Sequence, residues 1–383
     1  MLTNGYTLNT FANWKRILQA SPQIEPKYIP KLIYLASTGM LTAPLQRLEN
    51  KRFSKTIRKT QIHENPIFIM GFWRTGTTHL HNLLVQDSNY GYLSTLHSMM
   101  PGLIVNNGKI LRPLIQTIFP KIRPMDNIAL TLDAPQEEDI ALMNISPHTF
   151  YHYILFPKKM RFLFEKYGLM HKISPNELEE WRENYLYILR TATYLSDGKP
   201  LILKSPSHTA HTPQILGLFP KARFIEMRRN PLSVWLSFLH LHRSIIPAHH
   251  LQDFSWKTLE EDALHIFEKT MKKWLKDRDT ISEKNITVVY YEDLISSPLK
   301  ILNRIYEKFG LSSKGAKPYW EAYLKSIKGY RNNHLAPKPD DFQTVKKHLA
   351  FLYEAWGYPL PKSQIPQSAR HTTQRGKGFQ NRF

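Results

Sequence analysis

The chain has 383 residues, 42% hydrophobic and 22% charged, ordinary globular proportions that exclude wholesale disorder and leave ample core to bury. Its 52 Lys and Arg against 31 Asp and Glu give a net charge of +21, which favours anionic partners such as a nucleotide, nucleic acid, sulfated sugar or acidic membrane. The absence of cysteine excludes disulfides, thiolate metal sites and cysteine nucleophiles together.

In chain order, Met1-Leu2-Thr3-Asn4-Gly5 lacks the charged start and apolar block of a secretory signal. The best apolar run, Pro66 to Trp73, falls far short of the ~18 residues of a membrane span. The expectation is a soluble cytoplasmic protein. Residues 1–62 read as a Pro-punctuated N-terminal extension ending in the basic run Lys51 to Lys59. Within it, Ile29 to Leu41 reads as an amphipathic helix. A packed helix is preferred there to a membrane-surface anchor, because its polar face is not especially cationic; peripheral membrane contact stays open.

Four runs rich in β-branched or aromatic residues read as strands: Ile67–Met70, Leu201–Leu203, Arg223–Met227 and Ile286–Tyr291. Helical periodicity follows each. Lys204-Ser205-Pro206, Arg229-Asn230-Pro231 and Ser296-Ser297-Pro298 each place a capping residue before a proline, a helix-start signal. Strands alternating with helices predict an α/β fold with a central parallel sheet flanked by helices, one sheet edge collecting the residues that follow each strand. A helical insert is expected at about 90–195, within a domain spanning 63–360. Long helices are expected over Trp256–Arg278 and Phe342–Tyr358, and a basic, disordered tail over 361–383.

The strongest local signal is Met70-Gly71-Phe72-Trp73-Arg74-Thr75-Gly76-Thr77-Thr78. A buried strand runs into a glycine-bounded turn, and a helix begins at two threonines. Such a turn offers backbone N–H groups and a positive helix end to an anion. The glycine spacing is that of a Walker A loop, yet Thr77 stands where an NTPase has lysine, and the loop's cation is Arg74. The second signal is Met227-Arg228-Arg229-Asn230-Pro231. Adjacent arginines at a strand end, ahead of a capped helix, suit forked phosphate binding, with Ser233 and Ser237 on one helix face.

Together these motifs resemble the sulfotransferases that use 3′-phosphoadenosine 5′-phosphosulfate, in their bacterial-type, carbohydrate- and lipid-directed branch, over roughly Pro66 to Tyr358, and the resemblance implies a P-loop-like, three-layer fold. The resemblance makes Arg74, Thr75, Gly76, Thr77 and Thr78 the 5′-phosphosulfate loop, and Arg229 with Ser237 the 3′-phosphate site. It places Lys204 at the catalytic lysine's strand end, and Tyr291, in Tyr290-Tyr291-Glu292-Asp293, near the adenine. Arg74 and Lys204 would stabilise charge on the transferring group, with no metal. The acceptor base stays open. The cytosolic branch would have a histidine two residues after the lysine, where this chain has Pro206. Glu137 is preferred, ahead of Glu138, His208 and His97; the cluster Asp133 to Asp139 would equally serve as acids at a helix start. His208 and His211 lack the neighbouring carboxylates of a metal site.

The expected function is sulfuryl transfer to a hydroxyl of a small-molecule, lipid or carbohydrate acceptor. The alternatives are a P-loop kinase or NTPase, or a non-enzymatic basic anion-binding protein. No nucleic-acid module is present, so no nucleic acid is expected as partner. The oligomeric state is left open.

Overall fold

The computed structural model describes residues 9–20, 23–103, 112–113, 115–117, 130–329 and 335–361. Four short strands, β1 (Ile67–Met70), β2 (Ile202–Leu203), β3 (Arg223–Arg228) and β4 (Ile286–Tyr290), form one parallel sheet in the order β2-β1-β3-β4. Parallel neighbours need crossover connections, which cover both faces of the sheet; β1 and β2 are apolar throughout, whereas β3 carries Arg223, Glu226 and Arg228. Side chains therefore divide by parity. Phe68, Met70, Leu203 and Phe224 enter one core, and Ile67, Ile69, Ile202, Ile225 and Met227 enter the other.

The register sets the site. Phe68 pairs with Leu203 and Met70 with Glu226, so the chain leaves β1, β2 and β3 at the same sheet edge. Gly71, Lys204 and Arg229 all follow at that edge.

The helices that matter here are α1 (Phe11–Ala20), α2 (Ile29–Lys59), α3 (Thr77–Leu84), α4 (Thr95–Met99), α5 (Glu138–Ile145), α6 (Pro175–Leu195), α7 (Pro231–His249), α8 (Trp256–Asp277), α9 (Tyr291–Ser296), α10 (Pro339–His348) and α11 (Ala350–Trp356). Asn230 caps α7 through its side chain, which accepts from the N–H groups of Leu232 and Ser233. Ser205 does not cap in this way; its hydroxyl serves a carboxylate cluster described below.

Several boundaries move. The helix expected over Ile29–Leu41 continues to Lys59, because Pro44 sits exposed inside it and the rest of the ladder carries the helix past the one missing N–H. Tyr291 begins α9 and does not end β4. The closing helix is two, α10 and α11, meeting at Leu349, although Val345, Leu349, Leu352 and Trp356 are all buried as their spacing predicts. The N-terminal segment packs into the main core through Trp14, Ile17 and Leu35. The tail from 362, and most of the apolar segment Leu103 to Phe119, lie outside the described residues.

Candidate active site

The loop from β1 to α3 is built by backbone geometry. Gly76 has φ +96°, and a Cβ there would lie 2.3 Å from Tyr291 Cδ2, so only glycine lets the tyrosine ring close on the turn. Arg74 adopts φ 71°, a conformation that costs a side-chain-bearing residue about 1–3 kcal/mol. Its neighbours hold it there: its Nε donates to Ser237 Oγ at 2.9 Å, and its carbonyl accepts from Arg229 Nη1 at 2.9 Å. Thr75 is buried, its hydroxyl donating to the Phe72 carbonyl at 2.7 Å. The Gly71 N–H donates to Thr209 Oγ1 at 2.9 Å, tying β1 to the turn after β2. Thr77 and Thr78 open α3, whose first N–H groups have no carbonyl within the helix to bond.

Arg229 joins the two anion-binding signals into one place. Its guanidinium reaches the loop carbonyl and lies 4.3 Å from the centroid of the Tyr291 ring. It is half-buried, and among the described residues it has no ion-pair partner. Burial, and then the charge of Arg74, push its pKa down, so an arriving anion would relieve both. Arg228 behaves differently from the expected forked pair. Its Nε and Nη2 donate to the two carboxylate oxygens of Glu226 at 3.0 and 2.9 Å. Residues two apart on a strand share a face, so Glu226 claims Arg228 and leaves Arg229 to the loop.

Lys204 follows β2 and is 2% exposed. Its Nζ donates to Glu137 Oε1 at 2.6 Å, while Tyr151 OH donates to Glu137 Oε2 at 2.6 Å. Trp73, from the loop, completes the chain by donating its indole N–H to Tyr151 OH at 3.2 Å. Glu137 is the most exposed member of the Lys204–Glu137 pair, with 15% of its side chain open. Burial, and then the Glu137 charge, hold the Tyr151 hydroxyl well above the ordinary tyrosine range, so it stays a donor.

Glu138 and His208 belong to a closed cluster. Glu138 accepts from Ser205 Oγ at 3.1 Å and from the Lys204 N–H at 3.4 Å. Asp139 donates its N–H to Ser205 Oγ at 3.2 Å and accepts from the Ser207 hydroxyl. Burial pushes Glu138 up to about 8 and Asp139 up to about 6. His208 is buried, bonded at Nε2 to Tyr185 OH at 2.9 Å, and burial drives its pKa well below the usual range. His211 turns to the Tyr167 carbonyl, away from His208's partners. His97 is half-buried in α4, pushed down to about 4 by burial. The structure thus gathers Arg74, Gly76, Arg229, Ser237 and Tyr291 in one group, and Lys204 with Glu137 in another that Trp73 and Tyr151 connect to it. Glu138 and His208 lie in the buried support. Tyr151 and Trp73 are the residues that sequence reasoning missed; Trp73 stands inside the loop motif and Tyr151 in the aromatic run Phe150-Tyr151-His152-Tyr153.

The pattern of the sulfotransferase family matches residues 66–314, a span that takes in every residue just named. The chain belongs to the sulfotransferase family. This sulfotransferase is 30% identical over 305 residues to the omega-hydroxy-beta-dihydromenaquinone-9 sulfotransferase Stf3 of Mycobacterium bovis, covering 80% of this chain and 76% of that one. The Stf3 of Mycobacterium tuberculosis matches with the same identity and coverage. Among solved structures, sulfotransferase STF9 of Mycobacterium avium superposes with a TM-score of 0.66 at 16% identity, covering 92% of this chain and 98% of that one. Sulfotransferase STF1 of Mycobacterium tuberculosis does so with a TM-score of 0.65 at 17% identity, covering 88% and 90%. These two share the P-loop-like fold with this sulfotransferase. It is an enzyme of sulfuryl transfer, so neither the kinase reading nor the non-enzymatic reading survives. Among the described residues no helix is long and apolar enough to cross a membrane.

Proposed function

We propose that the enzyme takes its sulfuryl group from 3′-phosphoadenosine 5′-phosphosulfate and passes it to the hydroxyl of a lipid acceptor. The observation that carries the donor is the convergence of Arg229 on the Arg74 carbonyl. A half-buried cation without an acid partner stands against a loop that offers a second cation and a helix start. One grip suits the 5′-phosphosulfate, and the other the 3′-phosphate that separates this donor from ordinary adenine nucleotides. Tyr291 packs against both Gly76 and Arg229, between the two grips, and is the proposed neighbour of the adenine.

For the chemistry, Glu137 is the acceptor base. As the acceptor oxygen attacks sulfur, its proton passes to Glu137, and the bond from sulfur to the 5′-phosphate oxygen breaks. The charge left on the phosphate is met by Arg74, Lys204 and the loop N–H groups. Lys204 and Tyr151 orient the Glu137 carboxylate before the acceptor arrives. The lipid class is supported by the likeness to Stf3, whose named substrate is a hydroxylated menaquinone derivative. It is supported too by the buried aromatic cluster of Trp73, Phe150 and Tyr151, whose Tyr151 bonds Glu137.

Adenosine 3′,5′-bisphosphate tests the donor. It is expected to raise the unfolding temperature, whereas ATP with Mg²⁺ does so much less. Equal shifts from the two would overturn the donor assignment. Labelled donor offered to prenyl-chain alcohols and to sugars decides the acceptor class.

A further inference from the structure

Half of the large hydrophobic side chains exposed among the described residues lie on one helix. Ile29, Ile33, Met40 and Leu48 of α2 are 46%, 62%, 56% and 60% exposed, and Tyr34 is 43% exposed. At 100° per residue, Ile29, Ile33, Met40, Pro44 and Leu48 share one face, opposite the face that buries Leu35, Gln46, Glu49 and Ile57. The same outward face continues as Arg47, Lys51, Lys55 and Arg58, all exposed. The helix holds seven Lys and Arg against one acid, and that acid, Glu49, is buried. None of those four cations forms an ion pair among the described residues.

We propose that α2 is a membrane-docking helix, lying flat on an anionic bilayer with its apolar half in the headgroup–acyl boundary and its basic half against lipid phosphates. An apolar stripe alone would not choose its partner; the unpaired cations continuing it do, since an anionic surface complements them. A second copy of this chain would bring a like net charge of +21 against itself. The inward side of α2 also leads to the chemistry. Leu45 packs on the cluster of Leu96, Met99 and Leu103, and Ser98 in that segment accepts from Asn144 of α5, the helix that Glu137 opens. A docked α2 therefore sets this part of the enzyme next to a bilayer from which a lipid alcohol can enter. That purpose rests on the lipid-acceptor reading, whereas the surface itself is argued independently.

The test is sedimentation with vesicles of phosphatidylcholine containing about one-third phosphatidylglycerol, beside vesicles of phosphatidylcholine alone. The wild-type enzyme is expected to pellet with the anionic vesicles and to be released by high salt. Ile33→Ser/Met40→Ser/Leu48→Ser should weaken binding at least tenfold, and Lys51→Glu/Lys55→Glu should do the same, at roughly fivefold per charge removed and more per charge reversed. Both change exposed side chains, so both should keep the wild-type unfolding midpoint. The proposal is overturned by a wild type that stays in the supernatant, or by variants that pellet as it does. It is equally overturned by a dimer that the triple variant abolishes while vesicles are ignored. Vesicle binding by an enzyme that sulfates no lipid alcohol would uphold the docking helix and sink only the acceptor reading.

Discussion

Gly76→Ala tests the donor cradle where its geometry is tightest. The new methyl would sit 2.3 Å from Cδ2 and 2.8 Å from Cε2 of Tyr291, at a backbone φ of +96°. The backbone alone costs an alanine about 1–2 kcal/mol, and forcing a packed ring aside costs about 1–3 kcal/mol. Urea unfolding should therefore report a loss of about 2–5 kcal/mol. The displaced ring also carries the Arg229 guanidinium 4.3 Å from its centroid, so the affinity for adenosine 3′,5′-bisphosphate should fall as well. A double-mutant cycle separates the causes. In a Tyr291→Ala background the clash is gone, and only the backbone cost remains. The coupling should then be about 1–3 kcal/mol. Strictly additive losses, or wild-type affinity in Gly76→Ala, would refute the placement of Tyr291 on the loop.

Arg229→Ala should weaken adenosine 3′,5′-bisphosphate by roughly 10- to 100-fold in calorimetry, the worth of a charge-assisted contact, and leave kcat at saturating donor little changed. Lys204→Ala should do the reverse, and equal effects on both constants from both variants would contradict the roles. Glu137→Gln should lower kcat by about 10²–10⁴, and Tyr151→Phe by about tenfold with a shifted pH profile; an unchanged kcat in Glu137→Gln would remove it as base. For Glu138, the folded pKa of about 8 lies above the ordinary carboxyl value, so its neutral form stabilises the fold at low pH and that stability is lost as pH rises toward 8. Glu138→Gln, neutral throughout, should flatten the decline in unfolding temperature between pH 5 and pH 8, and an unaltered slope would count against a buried, protonated Glu138.

The legible features were those written in neighbouring residues. Gly71, Gly76 and the threonines spell a turn and a helix start within eight positions, and Asn230-Pro231 spells a cap; the backbone obeys both. The alternation of strands and helices foretold the parallel sheet, whose apolar residues divide between two cores. What stayed hidden was contact between distant positions. Nothing periodic links Trp73 to Tyr151 or Tyr151 to Glu137, because Tyr151 lies in a short 3₁₀ turn with no repeating face. Arg228 was misjudged although its signal was present: Glu226, two residues back on the same strand, is its natural partner. Pro44 was taken as punctuation, which concealed that one helix joins an apolar half to a basic half.

Tyr151 and Glu137 both come from the long insert between β1 and β2, whereas Gly76, Arg229, Ser237 and Tyr291 all lie outside it. On the proposed roles, the two halves of the reaction fall on different stretches of chain, joined by the Trp73–Tyr151 contact and by the bonds of Glu137, Glu138 and Asp139 to Lys204, Ser205 and Ser207. An exchanged insert would therefore have to keep that seam of carboxylates against the turn after β2. On the proposed roles, a chimera that keeps this seam should take its preference among alcohols from the insert's source and still bind adenosine 3′,5′-bisphosphate.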